Sequence, residues 1–329
     1  MKVLHISFHK GCQNDIEYVA KKLGWDLSFM EYDDGISIGN DKYNVTKEKA
    51  LSAWKKYKNF YDQHDIIITS DTTPISRVFL QNDWGKKLII WICNRIDYSH
   101  QPSVEFPDGE YYELIKNAKS NPNVIIIGYT LFENYYANNI KNLQIGSDCI
   151  KPIGQIEETY KNFISTKINN KEKTFFIGPY HNDNIMINLK DKVESLGFSA
   201  YNGRYNGPLD LAEFAAVIHI PYAWSNLALF EAIQLQIIYF IPTLKFIKSL
   251  KNTGMFFWSP PYIEDKLELS EWYCLEHKNT FVYFDSWNDL ELKLQNTDFQ
   301  KQKEVLKKFG EEHEQIMLEK WKNIINRIH

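Results

Sequence analysis

The segment Asp210-Leu-Ala-Glu-Phe-Ala-Ala-Val-Ile-His-Ile-Pro-Tyr-Ala-Trp-Ser-Asn-Leu-Ala-Leu-Phe-Glu231 gathers groups that can do chemistry. Val217 to Ile220 is short, apolar and β-branched, which predicts a buried strand. Pro221 to Trp224 makes a loop, and Ser225 or Asn226 can cap a following helix that carries Glu231. A helix N-terminus leaving such a loop is an anion site, because its first backbone N–H groups have no partner within the helix. A carboxylate nearly two turns along can accept hydrogen bonds from ribose hydroxyls. Phosphate and ribose at that separation make a nucleotide. The same letters also fit an ordinary βαβ unit with a surface glutamate.

Ile237 to Ile241 predicts the next buried strand, stopped by Pro242. This order of strand, small-residue loop with Ser, helix with Glu and strand ending at Pro resembles the donor-binding segment of GT-B-type glycosyltransferases. The resemblance is sharpest over Asp210 to Pro242. It implies two Rossmann-like domains around a cleft, a nucleotide-sugar donor linked to UDP or GDP, and a carbohydrate acceptor. Ser225, Asn226 and Leu227 would then meet the diphosphate, and Glu231 the ribose. Retaining members often carry a glutamate eight residues before this one. Ala223 stands there, which turns the expectation toward inversion.

Glycosyl transfer by single displacement needs a base for the acceptor hydroxyl, stabilisation of the departing diphosphate, and alignment of the two substrates. Ligands of parallel sheets bind beyond the carboxyl ends of strands, so the loops there hold the candidates. Asp97, Asp15, His9 and Asp71 are the candidate bases. Arg95, Arg204 and the helix start at Ser225 and Asn226 are the candidate phosphate groups. Gly178, His181, Tyr222 and Trp224 join the donor side, with the aromatic rings available for stacking. Each has a structural alternative. Asp97 can pair with Arg95, Asp15 can cap the first helix, Asp71 can cap a turn, and Arg204 can be a surface residue. His181 can fill an interface, Trp224 can pack against the next loop, and His219, inside an apolar strand, reads as structural. Asp33-Asp34 lies in a polar loop and reads as a solvated pair in preference to a metal-binding one; no metal and no other cofactor is expected.

These residues must be positioned by a βαβ rhythm. Strands are predicted at Val3–Phe8, Asp26–Glu31, Asp65–Ser70, Lys87–Cys93 and Val124–Ile127. A helix over Asp15–Leu23 follows the loop His9–Asn14, and an amphipathic helix spans Thr46–Gln63 with Thr46 as cap. A second rhythm follows, with strands at Thr174–Ile177, Phe198–Tyr201 and Thr280–Phe284, and helices at Asn184–Leu196 and from Trp287. Phe299 to Ile328 reads as one or two long helices. The expected division is an acceptor domain over 1–150, a linker over 151–172, a donor domain over 173–300, and a tail over 301–329 packing back toward the first domain. The fold class is therefore α/β, with two parallel sheets.

Length and composition agree. A chain of 329 residues exceeds one usual core, and 44% hydrophobic with 24% charged residues excludes wholesale disorder. A net charge of -4 without a basic run argues against nucleic acid. Cys12, Cys93, Cys149 and Cys274 are far apart in sequence and form no C-x-x-C, as in a reducing compartment. The first strand leaves no room for a signal h-region and no apolar run has the length of a membrane span. The expected location is the cytoplasm, with peripheral membrane contact open. Two rivals remain: a nucleotide-sugar epimerase of related fold and a non-catalytic bilobal binding protein. A dinucleotide-dependent dehydrogenase is disfavoured, since His9-Lys-Gly-Cys-Gln-Asn14 holds a single glycine.

Overall fold

The computed structural model describes residues 1–30, 45–98, 109–154, 171–178, 187–205, 207–259 and 261–327. The chain forms two compact units, Met1–Pro152 with Gln315–His329, and Ile153–Glu314. In the first, β1 (Lys2–Ile6), β2 (Asp26–Met30), β3 (Ile66–Thr69), β4 (Lys87–Ile92) and β5 (Val124–Gly128) pair in parallel in the order β2-β1-β3-β4-β5. The central strands β3 and β4 are almost wholly buried because they are near-continuous runs of Ile and Leu. Such runs need cover on both faces, which helices provide.

Those helices are α1 (Lys10–Leu23), α2 (Lys47–Tyr61), α3 (Arg77–Leu80), α4 (Gly109–Ala118) and α5 (Leu131–Tyr135), the last continuing into a π-helical turn over Tyr136–Ile140. Thr46 caps α2 as its sequence suggests, its hydroxyl accepting from Lys49 N–H at 3.3 Å. Two expectations fail at α1. The helix starts at Lys10, directly after an uncapped His9, so Lys10 to Asn14 form no loop. Asp15 consequently lies inside the helix and is not its cap.

The second unit repeats the plan. β6 (Lys171–Ile177), β7 (Ser199–Tyr201), β8 (Phe214–Ile218), β9 (Tyr239–Pro242) and β10 (Phe281–Phe284) lie in the order β10-β9-β8-β6-β7, all parallel. Its helices are α6 (Leu189–Ser195), α7 (Pro208–Leu211), α8 (Leu227–Gln234), α9 (Leu244–Asn252) and α10 (Trp287–Asn296). The tail is one helix, α11 (Phe299–Arg327), whose start groups with the second unit and whose end, from Gln315, groups with the first. Each sheet thus places its first strand between its second and third. Chain direction across the sheet reverses between β1 and β3, and again between β6 and β8, and such switch points are where parallel sheets take ligands.

The stretch after Pro152 opens as part of the second unit. Gln234 Nε2 donates to the Ile153 and Gly310 carbonyls at 3.1 and 3.2 Å. Gly154 has a φ of 69°, and a Cβ there would collide with the backbone of Phe230 and Glu231. Among the described residues, no helix is long and apolar enough to cross a membrane. Asp33-Asp34 lies outside the described residues.

Candidate active site

At the second switch point, the residue after β8 is His219, only 2% exposed. Its backbone continues the sheet, His219 N–H donating to the Phe240 carbonyl at 3.0 Å. Gly178, after β6, sits so close that a Cβ would lie 2.5 Å from His219 Nδ1. Glycine is the residue that lets this ring and that backbone coexist. The ring lies 4.8 Å from Trp272 and 6.0 Å from both Tyr222 and Tyr239, centroid to centroid. Burial pushes His219 down to about 3, so the imidazole is neutral at ordinary pH. Neither ring nitrogen finds a hydrogen-bond partner among the described residues. An unpaired polar group in such a place costs free energy, and that cost is a signal the apolar run around it conceals in the sequence.

The loop from Pro221 to Asn226 is clamped. Ser259 N–H donates to the Tyr222 carbonyl at 2.6 Å, Trp272 Nε1 to the Ala223 carbonyl at 3.1 Å, and Glu271 N–H to the Trp224 carbonyl at 2.9 Å. Trp224 is buried against Trp258 and donates to the Pro261 carbonyl. It is a pin, the packing alternative of its two sequence readings. Tyr222 remains part-exposed beside His219. Asn226 is the cap, its Oδ1 accepting from Ala228 N–H at 2.9 Å. Its side chain is therefore already engaged by the helix; Ser225 and Leu227, both part-exposed, flank it.

Glu231 lies part-exposed on α8, within electrostatic reach of Tyr205 and Tyr239. Burial first, then the Glu231 charge, raises Tyr205; burial, Tyr205 and Glu231 raise Tyr239. Arg204 is exposed next to Tyr205, which packs on Phe176 at 5.5 Å. Thus Gly178, Tyr222, Ser225, Asn226, Leu227 and Glu231 sit in or beside the β8–α8 turn. His181 lies outside the described residues.

The first unit holds a different chemistry. Beyond β4, Asp97 is 9% exposed and its Oδ2 accepts from Lys141 at 2.6 Å, from Tyr112 at 3.0 Å and from Tyr136 at 3.1 Å. Arg95 Nε lies 3.8 Å from Oδ1. Burial opposes the charge on Lys141, but the Asp97 hydrogen bond and charge outweigh it and hold the ammonium well above its ordinary value. Asp97 is anchored by these donors, and its pairing extends well beyond the Arg95 contact that sequence suggests.

Glu133 was missed by sequence reasoning. It is 6% exposed, and burial pushes its carboxyl up to about 8, with Arg95 opposing and Asp97 adding to the shift. Its setting, Thr130-Leu-Phe-Glu133, has the letters of a capping box. Half of that box forms: Thr130 Oγ1 accepts from Glu133 N–H at 3.3 Å. The reciprocal bond to Thr130 N–H is not made among the described residues, and the carboxyl is buried near Arg95 and Asp97 instead. A carboxyl that titrates near neutrality is a candidate for proton transfer.

At the first switch point, Asp71 follows β3 with a φ of 71°, a left-handed conformation unusual for a residue with a side chain. Its Oδ1 accepts from Asn94 Nδ2 at 3.2 Å. His9 is exposed, whereas Asp15 is buried in α1. Cys12, His9, Ser70 and Cys93 meet around the same strand ends, a cluster that wide sequence separation hides.

No family model matches the chain, and no curated protein matches it in sequence. Solved structures are similar to it in fold. The calicheamicin glycosyltransferase CalG4 aligns over 99% of this chain and 98% of its own, at 6% identity and a TM-score of 0.48. UGT89C1 of Arabidopsis thaliana, solved with UDP, aligns over 99% and 90%, at 8% identity and a TM-score of 0.46. The UDP-GlcNAc 2-epimerase of Methanocaldococcus jannaschii aligns over 81% and 90%, at 10% identity and a TM-score of 0.44. Likeness of this degree decides nothing about substrate or reaction.

Proposed function

We propose that this protein is a glycosyltransferase that moves a sugar from a UDP- or GDP-linked donor to a hydroxyl of a glycan or glycoconjugate, by inversion and without a metal. The β8–α8 turn carries the reading: a clamped loop, a helix N-terminus at the carboxyl end of a strand, and Glu231 farther along that helix. Diphosphate would lie at the N–H groups near Ser225 and Leu227, and the ribose at Glu231. Arg204 would add positive charge, and Tyr222 a stacking face. The first unit would take the acceptor. Glu133 would accept its proton once ionised, a fraction that grows as pH rises toward 8, with Asp97 fixing Lys141 and the two tyrosines beside it and Arg95 balancing the charge. His9 and Asp71 stand as further proton acceptors near β1 and β3.

Thermal unfolding in the presence of UDP, GDP, CMP and dTDP sugars, with and without chelator, tests the donor site. Binding to the native state raises the transition by mass action. A selective rise that survives chelation is expected, and Glu231→Ala should remove most of it while leaving the unliganded transition in place. No rise at millimolar nucleotide would overturn the reading. Glu133 also favours a second reading, epimerisation of the nucleotide sugar, since a carboxyl titrating near neutrality can both take and return a proton. Product analysis with donor alone separates the two: an epimer forms without acceptor only in the second.

A further inference from the structure

We propose that Glu271, Cys274 and His277 bind a zinc ion that staples the clamp around the Pro221–Asn226 loop. The three are spaced Glu-x-x-Cys-x-x-His between α9 and β10, a pattern without the C-x-x-C that marks many zinc sites in sequence. Cys274 N–H donates to the Ser270 carbonyl at 2.9 Å, and a 3-10 turn over Leu275–His277 follows. Residues three apart on such tight turns fall on one side. A carboxylate, a thiol and an imidazole are thereby collected in one place. One ligand atom of each lies within 4.8 Å of the others.

The distances suit zinc. His277 Nδ1 lies 3.4 Å from Glu271 Oε2, and Cys274 Sγ lies 4.0 Å from the same oxygen. The bond lengths of zinc to nitrogen, oxygen and sulfur put tetrahedral neighbours about 3.4–3.6 Å apart. The nitrogen and oxygen already have that spacing, and the sulfur needs to move in by about 0.4 Å. Burial argues the same way. Glu271 and His277 are 0% exposed and Cys274 is 2% exposed. The rings of Phe230, Phe281 and Phe309 surround His277, with centroids 5.9, 6.1 and 5.2 Å away. A carboxyl in such a shell needs either a proton or a positive partner. Sulfur, nitrogen and oxygen together select zinc over magnesium and calcium, which take oxygen.

The protons balance. Without metal, His277 Nδ1–H donates to the Glu271 carbonyl at 2.8 Å. Zinc takes the place of that hydrogen, which moves to Nε2 and leaves the imidazole neutral. The Cys274 thiol gives its proton to solvent, and Glu271 binds ionised. Thiolate and carboxylate cancel the two charges of the ion, so the buried site is neutral. The second carboxylate oxygen of Glu271 fills the fourth position. The ligands flank Trp272, whose Nε1 holds the Ala223 carbonyl, while Glu271 N–H holds the Trp224 carbonyl. The ion is therefore structural. It stiffens the loop before α8, and the sugar transfer proposed above stays free of a metal.

The test is the zinc content of the full-length protein after equilibration with zinc and removal of the excess. One ion per chain is expected, and cobalt in its place should give a thiolate-to-metal charge-transfer band. Glu271→Gln, Cys274→Ser and His277→Gln should each lower zinc affinity at least about tenfold. Cys12→Ser, Cys93→Ser and Cys149→Ser should leave ion and band unchanged. The chain has four cysteines, so these three variants assign the band to Cys274 even if Cys274→Ser folds poorly. Stripping the ion should lower the thermal transition, and returning zinc should restore it. Zinc at background level, cobalt without the thiolate band, or a band that Cys12→Ser, Cys93→Ser or Cys149→Ser removes would overturn the proposal. None of these measurements uses nucleotide. A missing ion thus leaves the donor reading standing, and a missing nucleotide shift leaves the ion standing.

Discussion

The two sheets share one strand order, yet their switch points carry different chemistry. Beyond β6 and β8 lie a glycine, a neutral histidine, aromatic rings and a helix N-terminus, groups that carry no charge at ordinary pH. Beyond β1, β3 and β4 lie thiols, His9 and Asp71, with Glu133 and the Asp97–Lys141 pair beyond β4 and β5, groups that hold or release protons. Topology sets both locations, and the side chains set which of them gathers ionisable groups. If that contrast is real, charge-removing substitutions should change the first unit's pH dependence, and shape or cap substitutions should act on the second.

Glu133→Gln should have the largest effect. The folded carboxyl titrates at about 8 against a reference of 4.5, with Arg95 and Asp97 as the charged groups facing it. A raised folded pKa means that the native state binds the proton more tightly than the unfolded chain. The parent's advantage from this group is complete below the unfolded value and is lost as pH rises through 8. The full shift corresponds to about 5 kcal/mol. Denaturant midpoints should therefore coincide for parent and variant near pH 4.5, with the variant more stable by up to that amount above pH 8. Parallel stability curves across this range would mean that Glu133 is not held protonated, and the contrast between the units would lose its main proton-holding carboxyl.

Gly154→Ala comes next and acts on the second unit. The left-handed φ and the collision with the Phe230 and Glu231 backbone together should cost about 3 kcal/mol, read as a lowered urea midpoint. The turn carrying Glu231 depends on this close approach. A loss below about 1 kcal/mol would show that the segment can yield, and the rigid-site description of α8 would fail.

What sequence made legible follows the strength of local physics. Apolar β-branched runs marked the strands, and Thr46 and the β8–α8–β9 order were readable because caps and buried strands have local signatures. The start of α1 was not readable, since Gly11, Gln13 and Asn14 have loop-like composition and no side chain caps the helix. Glu133 was hidden by a capping-box pattern that accounts for its letters without a buried carboxyl. That Cys93 acts on Cys12 required knowing that β3 lies between β1 and β4, which is a property of the sheet and of no single segment. His219 was read as structural from its apolar neighbours; its burial agrees, and its ring nitrogens add a polarity that neighbours alone do not reveal.

The smallest effect offers the finest comparison. Asn226→Ala and Thr46→Ala each remove a helix cap, one in each unit, and each should cost about 1 kcal/mol of stability. Only the first cap stands at the proposed diphosphate site. Asn226→Asp then separates cap from anion binding. A carboxylate can still accept from Ala228 N–H, and its charge favours the helix N-terminus, so the unliganded protein should keep or slightly raise its unfolding temperature. The same charge repels a diphosphate, and nucleotide affinity should fall at least about tenfold, or 1.4 kcal/mol. Unchanged affinity in Asn226→Asp would move the phosphate away from this helix, whatever the fate of Glu231. A matching loss in Thr46→Ala would show that affinity follows overall stability, with no special role for the second switch point.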